Sequence, residues 1–320
     1  MNDKPAPGNL CDVGASSLVR VTSRCNNRCL FCPDEASGNR HSALDRGFSC
    51  NDAVLSKLEA LRASSAKKVV FCGGEPTMAE KLPRWIAAAR RMGFESVALR
   101  TNGRRLAYRR YMKRLLQAGL DTLEISLHGS RPEIHDHHTR ADGSFRQTLT
   151  GLRLAASLEI SVGVTSMVTR SNYRHMGELA RLLSGSGVER IVFVLAIPED
   201  SSSAARLPSL VPRLALVAPH AHSASTIGKQ YGILVAVNGL PPCLQATTIP
   251  GVTTGESFSG VHGLQCRTCT VSEECSGVHP LYAEHYGLSE LQYAARMLHS
   301  PSREEDQPVP RFAGSVRDRP

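Results

Sequence analysis

Three cysteines fall within eight residues near the start of the chain, as Cys25, Cys29 and Cys32. The spacing C-x3-C-x2-C places three thiolates where they can ligate three irons of an iron–sulfur cube. The fourth iron would then have no protein ligand, and an open coordination position is typical of a catalytic metal. The triplet therefore predicts metal chemistry as well as metal binding.

A second group of cysteines lies in the C-terminal third of the chain. Cys266, Cys269 and Cys275 have the spacing C-x2-C-x5-C, and Cys243 lies upstream of them. Four thiolates could hold one further [4Fe–4S] cluster. A set in which His279 takes the place of Cys243 is the alternative. Either set also suits a structural zinc ion, so zinc stays open at this point.

The elements that must position these residues alternate between strand-like and helix-like segments. Strands are predicted at 17–23, 67–72, 96–100, 122–127, 161–168 and 190–197, and helices at 53–62, 82–92, 105–118, 145–158 and 173–183. This alternation predicts an α/β fold with a parallel sheet. The pattern alone leaves a doubly wound sheet and an incomplete barrel equally open. Residues 198–219 are expected to form a connector, and 231–237 is a candidate further strand.

Polar or glycine-rich sequence follows each of the first four predicted strands. The cysteine triplet follows the first, and the later ones are followed by Gly-Gly-Glu-Pro at 73–76, Thr-Asn-Gly at 101–103 and Ser-Leu-His-Gly at 126–129. In both kinds of parallel fold, ligands bind at the carboxyl edge of the sheet. One site is therefore expected to gather these segments around the cysteines.

The composition of the chain limits where the protein is located and which partners it binds. The chain has 320 residues, ten cysteines and a formal charge of +9. Clustered cysteines without a secretory signal are typical of reduced thiols that bind metals in the cytoplasm. We find no apolar segment long enough to span a membrane. The basic residues between 84 and 114 are expected to lie on solvated helix faces, and aromatic residues are too few to favour nucleic-acid binding.

The residues quoted above resemble the radical S-adenosylmethionine (SAM) superfamily. The resemblance covers roughly residues 16–200 and rests on the cysteine triplet, with Phe31 before its last member, and on the Gly-Gly-Glu-Pro motif. It implies a partial (β/α)6 TIM-like barrel. The second cysteine group resembles part of the SPASM/twitch extension, but it has four cysteines where that pattern has seven, and His279 stands in the place of the next one. One auxiliary [4Fe–4S] cluster is therefore expected.

The resemblance also implies the chemistry. A [4Fe–4S] cluster on Cys25, Cys29 and Cys32 would bind SAM at its open iron, and reductive cleavage of SAM would give a 5′-deoxyadenosyl radical that abstracts a substrate hydrogen. The implied SAM-binding residues are Gly73, Gly74 and Glu75 for the amino group, Thr101, Asn102 and Ser126 for the ribose or carboxylate, Phe31 and Met167 for the adenine, and Arg170 for the carboxylate.

Two further groups of residues could take part in chemistry. Cys50 is a candidate hydrogen donor to a substrate radical, whereas Cys72 ends an apolar strand and is expected to be buried in the core. His135, Asp136, His137 and His138 could be metal ligands or acid–base groups.

The resemblance leaves the substrate open. A ribosomally made peptide that is cross-linked, oxidised or epimerised is the first hypothesis, and a sugar, nucleoside or amino acid acted on by a dehydrogenase or mutase is the second. A zinc-stabilised binding protein without catalysis is the hypothesis of another class. Flavodoxin or ferredoxin is the expected reductant. The predicted organisation is a leader at 1–15, the barrel at 16–215, a cluster-binding extension at 216–295 and a disordered tail at 296–320.

Overall fold

Seven strands form one parallel sheet within the part of the chain that the computed structural model describes, namely residues 17–32, 51–158, 160–198, 201–244, 260–269, 272–273 and 275–291. They are β1 (Leu18–Arg20), β2 (Lys68–Cys72), β3 (Ser96–Thr101), β4 (Thr122–Ser126), β5 (Ser161–Val168), β6 (Arg190–Leu195) and β7 (Leu234–Asn238). The strand order follows the chain from β1 to β7. A doubly wound sheet reverses its order at a switch point. The uninterrupted order therefore decides for an incomplete, unclosed barrel.

The α-helices in the described residues lie mainly between the strands. They are α1 (Asn51–Ala63), α2 (Leu82–Arg91), α3 (Arg109–Gln117), α4 (Pro132–Thr139), α5 (Ser144–Ala156), α6 (Met176–Leu183), α7 (Leu207–Leu210), α8 (Leu214–Gln230) and α9 (Pro280–Tyr286). None of them is both long and apolar enough to cross a membrane.

The two faces of the sheet differ in chemistry. On the outer face, Phe71, Leu99 and Leu123 are fully buried and belong to the core that the helices complete with Trp85. Side chains alternate along each strand, so the intervening residues form an inner face. That face carries charged and polar side chains, among them Arg20 and Arg100, which are exposed, and Glu124 and Arg190, which are buried.

The prediction of a connector at 198–219 is wrong. The segment contains α7 and the beginning of α8, and Pro219 lies inside α8. Pro219 removes one helix hydrogen bond, but α8 buries a stripe of apolar residues at helical spacing, from Leu214 and Val217 to Ile227. The strand suggested at 231–237 is present as β7 and pairs with β6.

One boundary and one helix also differ from the sequence-based expectations. The predicted end of the barrel at residue 215 falls inside α8, and β7 extends the barrel sheet to Asn238. Helix α4 was not predicted, because its histidines and aspartate give it no apolar repeat apart from Ile134.

Candidate active site

The loop after β2 lies directly against the loop that leads from β1 to the cysteine triplet. The N–H of Gly74 donates to the carbonyl of Thr22 and that of Glu75 to the carbonyl of Arg24, both at 2.7 Å. A Cβ atom on Gly73 would lie 2.4 Å from the oxygen of Thr22, and Gly73 also has a φ of +127°. The neighbouring backbone therefore requires glycine here, and the contact of these glycines with SAM stays a prediction.

Glu75 ties this loop to the end of β3. Its side chain is buried, and its Oε1 accepts hydrogen bonds from the backbone N–H of Thr77 at 3.0 Å and from the hydroxyls of Thr77 and Thr101 at 2.6 Å. Its Oε2 accepts from the N–H of Asn102 at 2.7 Å. These bonds occupy Oε1 fully and leave Oε2 with capacity for one further donor. Glu75 thus positions the loops, and its contact with an amino group stays a prediction.

The segment after β3 holds the cysteine loop from the other side. Asn102 donates from Nδ2 to Oδ1 of Asn26 at 2.7 Å. The guanidinium of Arg104 donates to the backbone carbonyl of Asn26 and, at 2.8 Å, to Oδ1 of Asn27. The sequence placed Arg104 among solvated surface charges. Its position two residues after Asn102, at a strand end, was the signal for this role.

The C-terminal end of α4 completes the support. The N–H groups of Arg28 and Leu30 donate to the carbonyls of Thr139 and His138, at 2.8 and 3.0 Å. Asp136 in turn accepts hydrogen bonds from the first residues of α5 and the glycine before it: Gly143 N, Ser144 Oγ and Phe145 N. Burial alone would raise the pKa of Asp136, but these hydrogen bonds lower it. The segment 135–139 therefore caps α5 through Asp136 and holds the cysteine loop through backbone hydrogen bonds.

A stack of rings joins the cysteine loop to the ends of β4 and β5. Phe31 contacts His128 edge to face, with centroids 4.8 Å apart, and His128 stacks on His135 at 5.6 Å. The N–H of His128 donates to Nδ1 of His135, and the N–H of Met167 donates to Nδ1 of His128. Both Nδ1 atoms are acceptors, so the rings are neutral. Burial is the main cause that lowers the pKa of both, to about 4 for His135.

The remaining predicted residues divide into three groups. Ser126 and Met167 lie half-buried on the inner face, at the carboxyl ends of β4 and β5. Arg170 is exposed and donates to the carbonyl of Pro208 at 2.8 Å, so it joins the end of β5 to α7. Cys50 lies outside the described residues. All the predicted SAM-binding residues therefore lie at the carboxyl edge, and only Arg170 has its guanidinium bonded to α7.

The second cysteine group converges on one cavity, lined by Cys243, Cys266, Cys269 and Cys275. Burial raises the pKa of Cys243 to about 11, and the nearby charges of the other three thiolates add to the effect. A bound cation reverses this balance, because a coordinating thiol is deprotonated. Within the described ranges, no three His, Cys, Asp or Glu side chains are arranged for a single metal ion. Four thiols around one cavity are a donor set that suits an iron–sulfur cluster and also tetrahedral zinc.

His279 does not line this cavity. It precedes α9, and its Nδ1 accepts a hydrogen bond from the N–H of Leu281 at 3.3 Å. The ligand set with Cys243 therefore fits the geometry better than the set with His279.

Comparison with known proteins decides the family. The sequence profile of the radical SAM superfamily matches residues 19–183, which is more than half of the chain and includes the cysteine triplet. The chain belongs to the radical SAM superfamily. The matched range begins in β1 and ends with α6.

Curated relatives resemble this radical SAM chain over part of their length. An Fe-coproporphyrin III synthase from Methanosarcina barkeri is 31% identical over 173 residues, which cover 54% of this chain and 42% of the relative. A GTP 3′,8-cyclase from Limosilactobacillus fermentum is 34% identical over 142 residues, which cover 44% and 41%. The chain thus spans about two fifths of the length of these two relatives.

Solved structures share the fold. Native anSMEcpe with bound S-adenosylmethionine superposes with a TM-score of 0.62 at 16% identity, covering 88% of this chain and 97% of that one. SuiB from Streptococcus suis, bound to its precursor peptide SuiA, superposes with a TM-score of 0.57 at 16% identity, covering 69% and 48%. At these identities the likeness establishes the partial barrel alone.

Membership of the superfamily implies a [4Fe–4S] cluster and SAM as cofactors. The residues of the cysteine loop fit the [4Fe–4S] cluster. Cys25, Cys29 and Cys32 are half-buried on one loop and form no disulfide. Two strand ends and α4 fix the backbone of that loop, as described above. A soft thiolate donor set on a fixed, partly accessible loop suits an iron–sulfur cluster.

Proposed function

We propose that this radical SAM enzyme holds its [4Fe–4S] cluster on Cys25, Cys29 and Cys32 and abstracts a hydrogen atom from a substrate in the barrel. When bound, the reduced cluster and SAM supply a 5′-deoxyadenosyl radical. The observation that carries the proposal is the three-sided support of the cysteine loop by the residues after β2, after β3 and at the end of α4. Such support places reacting groups accurately and reduces the cost of organising them.

The chain's own residues have distinct tasks in this proposal. Gly73 and Gly74 bring the β2 loop against the cysteine loop, and Glu75 links that loop to β3. The half-buried Phe31 and the buried, neutral His128 ring form a wall behind the cysteines. Ser126 and Met167 lie at the rim of the inner face, where SAM and substrate would meet. This wall would exclude water from a reactive radical.

For the substrate, we infer that a small molecule is better supported than a peptide. The curated relatives that match by sequence carry the names of enzymes for coproporphyrin and GTP. A peptide is supported by structures that share only the fold with this chain. The inner face, with its polar and charged side chains, also suits a small polar ligand. Peptide maturation therefore becomes the second candidate, and net oxidation or cyclisation of a small molecule the first.

We further infer an auxiliary [4Fe–4S] cluster on Cys243, Cys266, Cys269 and Cys275. Four thiolates leave no open iron, so this cluster would accept or relay electrons and would not bind substrate. Flavodoxin or ferredoxin is the proposed electron donor. The cytoplasm is the proposed location, because cluster-binding thiols must stay reduced.

Anaerobic purification and iron analysis test the two cluster assignments. We expect brown protein with about eight irons per chain, as two cubes require. Cys29→Ala should abolish 5′-deoxyadenosine formation from SAM and dithionite, and Cys269→Ala should lower the iron content to about four. Cys72→Ala, which changes a cysteine outside both groups, is the control and should keep about eight. Colourless protein with stoichiometric zinc, or unchanged 5′-deoxyadenosine formation in Cys29→Ala, would contradict the proposal.

A further inference from the structure

One row of paired residues, which crosses the strands on the inner face and which we call a level, is unusually rich in charge. Arg20 of β1 pairs with Cys72 of β2, and Arg100 of β3 pairs with Glu124 of β4. Phe71 pairs with Leu99, so Cys72 and Arg100, the next residues of those strands, also lie at one level. Neighbouring residues at one level point to the same face. We call Arg20, Cys72 and Arg100 the arginine ledge.

Beyond Arg100, the charges at this level are already matched. Glu124 and Arg190 form a buried ion pair at 3.0 Å across the strand between them. That strand carries Gly163 at the crossing point, where a Cβ atom would lie 2.7 Å from the guanidinium carbon of Arg190. The hydroxyl of Thr165 also donates to Glu124. The only carboxylate at the level of the arginine ledge is therefore engaged by Arg190 and Thr165 in the described structure.

The guanidinium of Arg100 is available to a ligand. Its side chain is exposed, and it makes no ion pair or hydrogen bond with the described residues. Both Arg100 and Arg20 lie close enough to Cys72 for their charges to lower the pKa of its thiol, although burial raises it more. Two positively charged side chains therefore lie on either side of the small side chain of Cys72.

The arginine ledge also lies where a substrate would meet the radical. Arg20 is the last residue of β1, five residues before Cys25, and Arg100 is one residue before Thr101, which binds Glu75. The ledge is therefore immediately beneath the loops that hold the cysteines. A group bound there would lie inside the barrel and next to the proposed SAM site.

We propose that Arg100, together with Arg20, binds an anionic group of the substrate, a carboxylate or a phosphate, on the inner face of the barrel. This inference rests on the proposed function, since it names the substrate class for that site. A guanidinium presents several N–H donors in one plane and binds both anions through paired hydrogen bonds. Anchoring the charged end of a substrate on the ledge would orient its remaining atoms towards the cysteine loop.

Anion binding to the reconstituted holoenzyme, with SAM present, tests the proposal directly. Inorganic phosphate and succinate are the two probes, measured separately by equilibrium dialysis, so that phosphate and carboxylate recognition are distinguished. We expect at least one of the two anions to bind. Arg100→Gln should weaken that binding about tenfold or more, because it removes charge-assisted hydrogen bonds. Arg100→Lys should retain part of the affinity, because it keeps the charge.

Arg110→Gln is the matched control, because Arg110 is equally exposed but lies on α3, outside the barrel. Equal affinities of wild type and Arg100→Gln would overturn the inference, as would an equal loss in Arg110→Gln or the absence of binding of both anions to wild type. SAM cleavage without substrate is measured in parallel. If wild type with intact clusters does not cleave SAM, the proposed function fails; if it cleaves SAM but does not bind the anions, only the ledge assignment fails.

Discussion

The side-chain amide of Asn102 donates a hydrogen bond to the side-chain oxygen of Asn26, 2.7 Å away. Asn26 lies between the first two cysteines of the triplet, and Asn102 follows β3. One hydrogen bond therefore joins the cysteine loop to a strand end 76 residues further along the chain. Asn102 also accepts from the N–H of Arg104 through Oδ1, so its amide joins the cysteine loop to the turn after β3.

Asn102→Ala should slow SAM cleavage. The substitution removes the bond to Asn26 and leaves the N–H of Arg104 without its acceptor, at a cost of about 1–3 kcal/mol. We expect about a tenfold loss in the rate of 5′-deoxyadenosine formation, measured at saturating SAM. Gln147→Ala is the control, because Gln147 binds only the exposed side of Arg104. Equal rates in the two variants would show that Asn102 has no positioning role.

Gly74→Ala should impair cluster binding. An added Cβ atom would lie 2.4 Å from the carbonyl oxygen of Ser23 and 2.5 Å from that of Arg24, and these are backbone atoms that can move only with the cysteine loop. We expect loss of about half of the bound iron, because the auxiliary site is unaffected. Gly232→Ala, where nothing lies within 4 Å of the new atom, should retain all the iron despite its unfavourable φ. Full iron in Gly74→Ala would contradict the loop contact.

Glu75→Gln should destabilise the protein without removing any cysteine. A glutamine would turn an NH2 group towards donors that now bind a carboxylate oxygen, so at least one buried donor would lose its partner, at about 1–3 kcal/mol. The expected result is a lower midpoint of urea unfolding. Glu80→Gln is the control, since Glu80 is exposed. Similar midpoints for both variants would mean that the carboxylate of Glu75 is not engaged as described.

Stability should fall as the pH is lowered from about 7 towards 4. Burial holds the pKa of His135 at about 4, whereas an unfolded histidine titrates near 6.5. Between these values the unfolded chain binds more protons, so acid favours unfolding, by about 3 kcal/mol at most for this residue. Urea midpoints at pH 7 and pH 5 measure the effect. His135→Gln should show a smaller drop than wild type, and the exposed His137→Gln should show the same drop; a full drop in His135→Gln would exclude His135 as a source.

The elements that could be predicted from the sequence are those with a characteristic local pattern of residues. Six strands and the loops after them could be placed, because buried parallel strands are short apolar runs and because glycines and cysteines mark the loops at their carboxyl ends. Two things required the structure. The sequence of α4, with its histidines, has no apolar residues at helical spacing, so neither the helix nor its hydrogen bonds to the cysteine loop were expected. Arg104 was grouped with the solvated arginines, because its position just after a strand end does not by itself show that the guanidinium reaches another loop.

The backbone hydrogen bonds that hold the cysteine loop have a consequence for the order of assembly. The backbone contacts from Thr22, Arg24, Arg28 and Leu30 involve no thiol, so they form as the barrel folds. In small zinc domains the metal must supply the free energy of folding. Here the apoprotein should already present its three thiols in place, and iron would be inserted into a finished barrel instead of organising one.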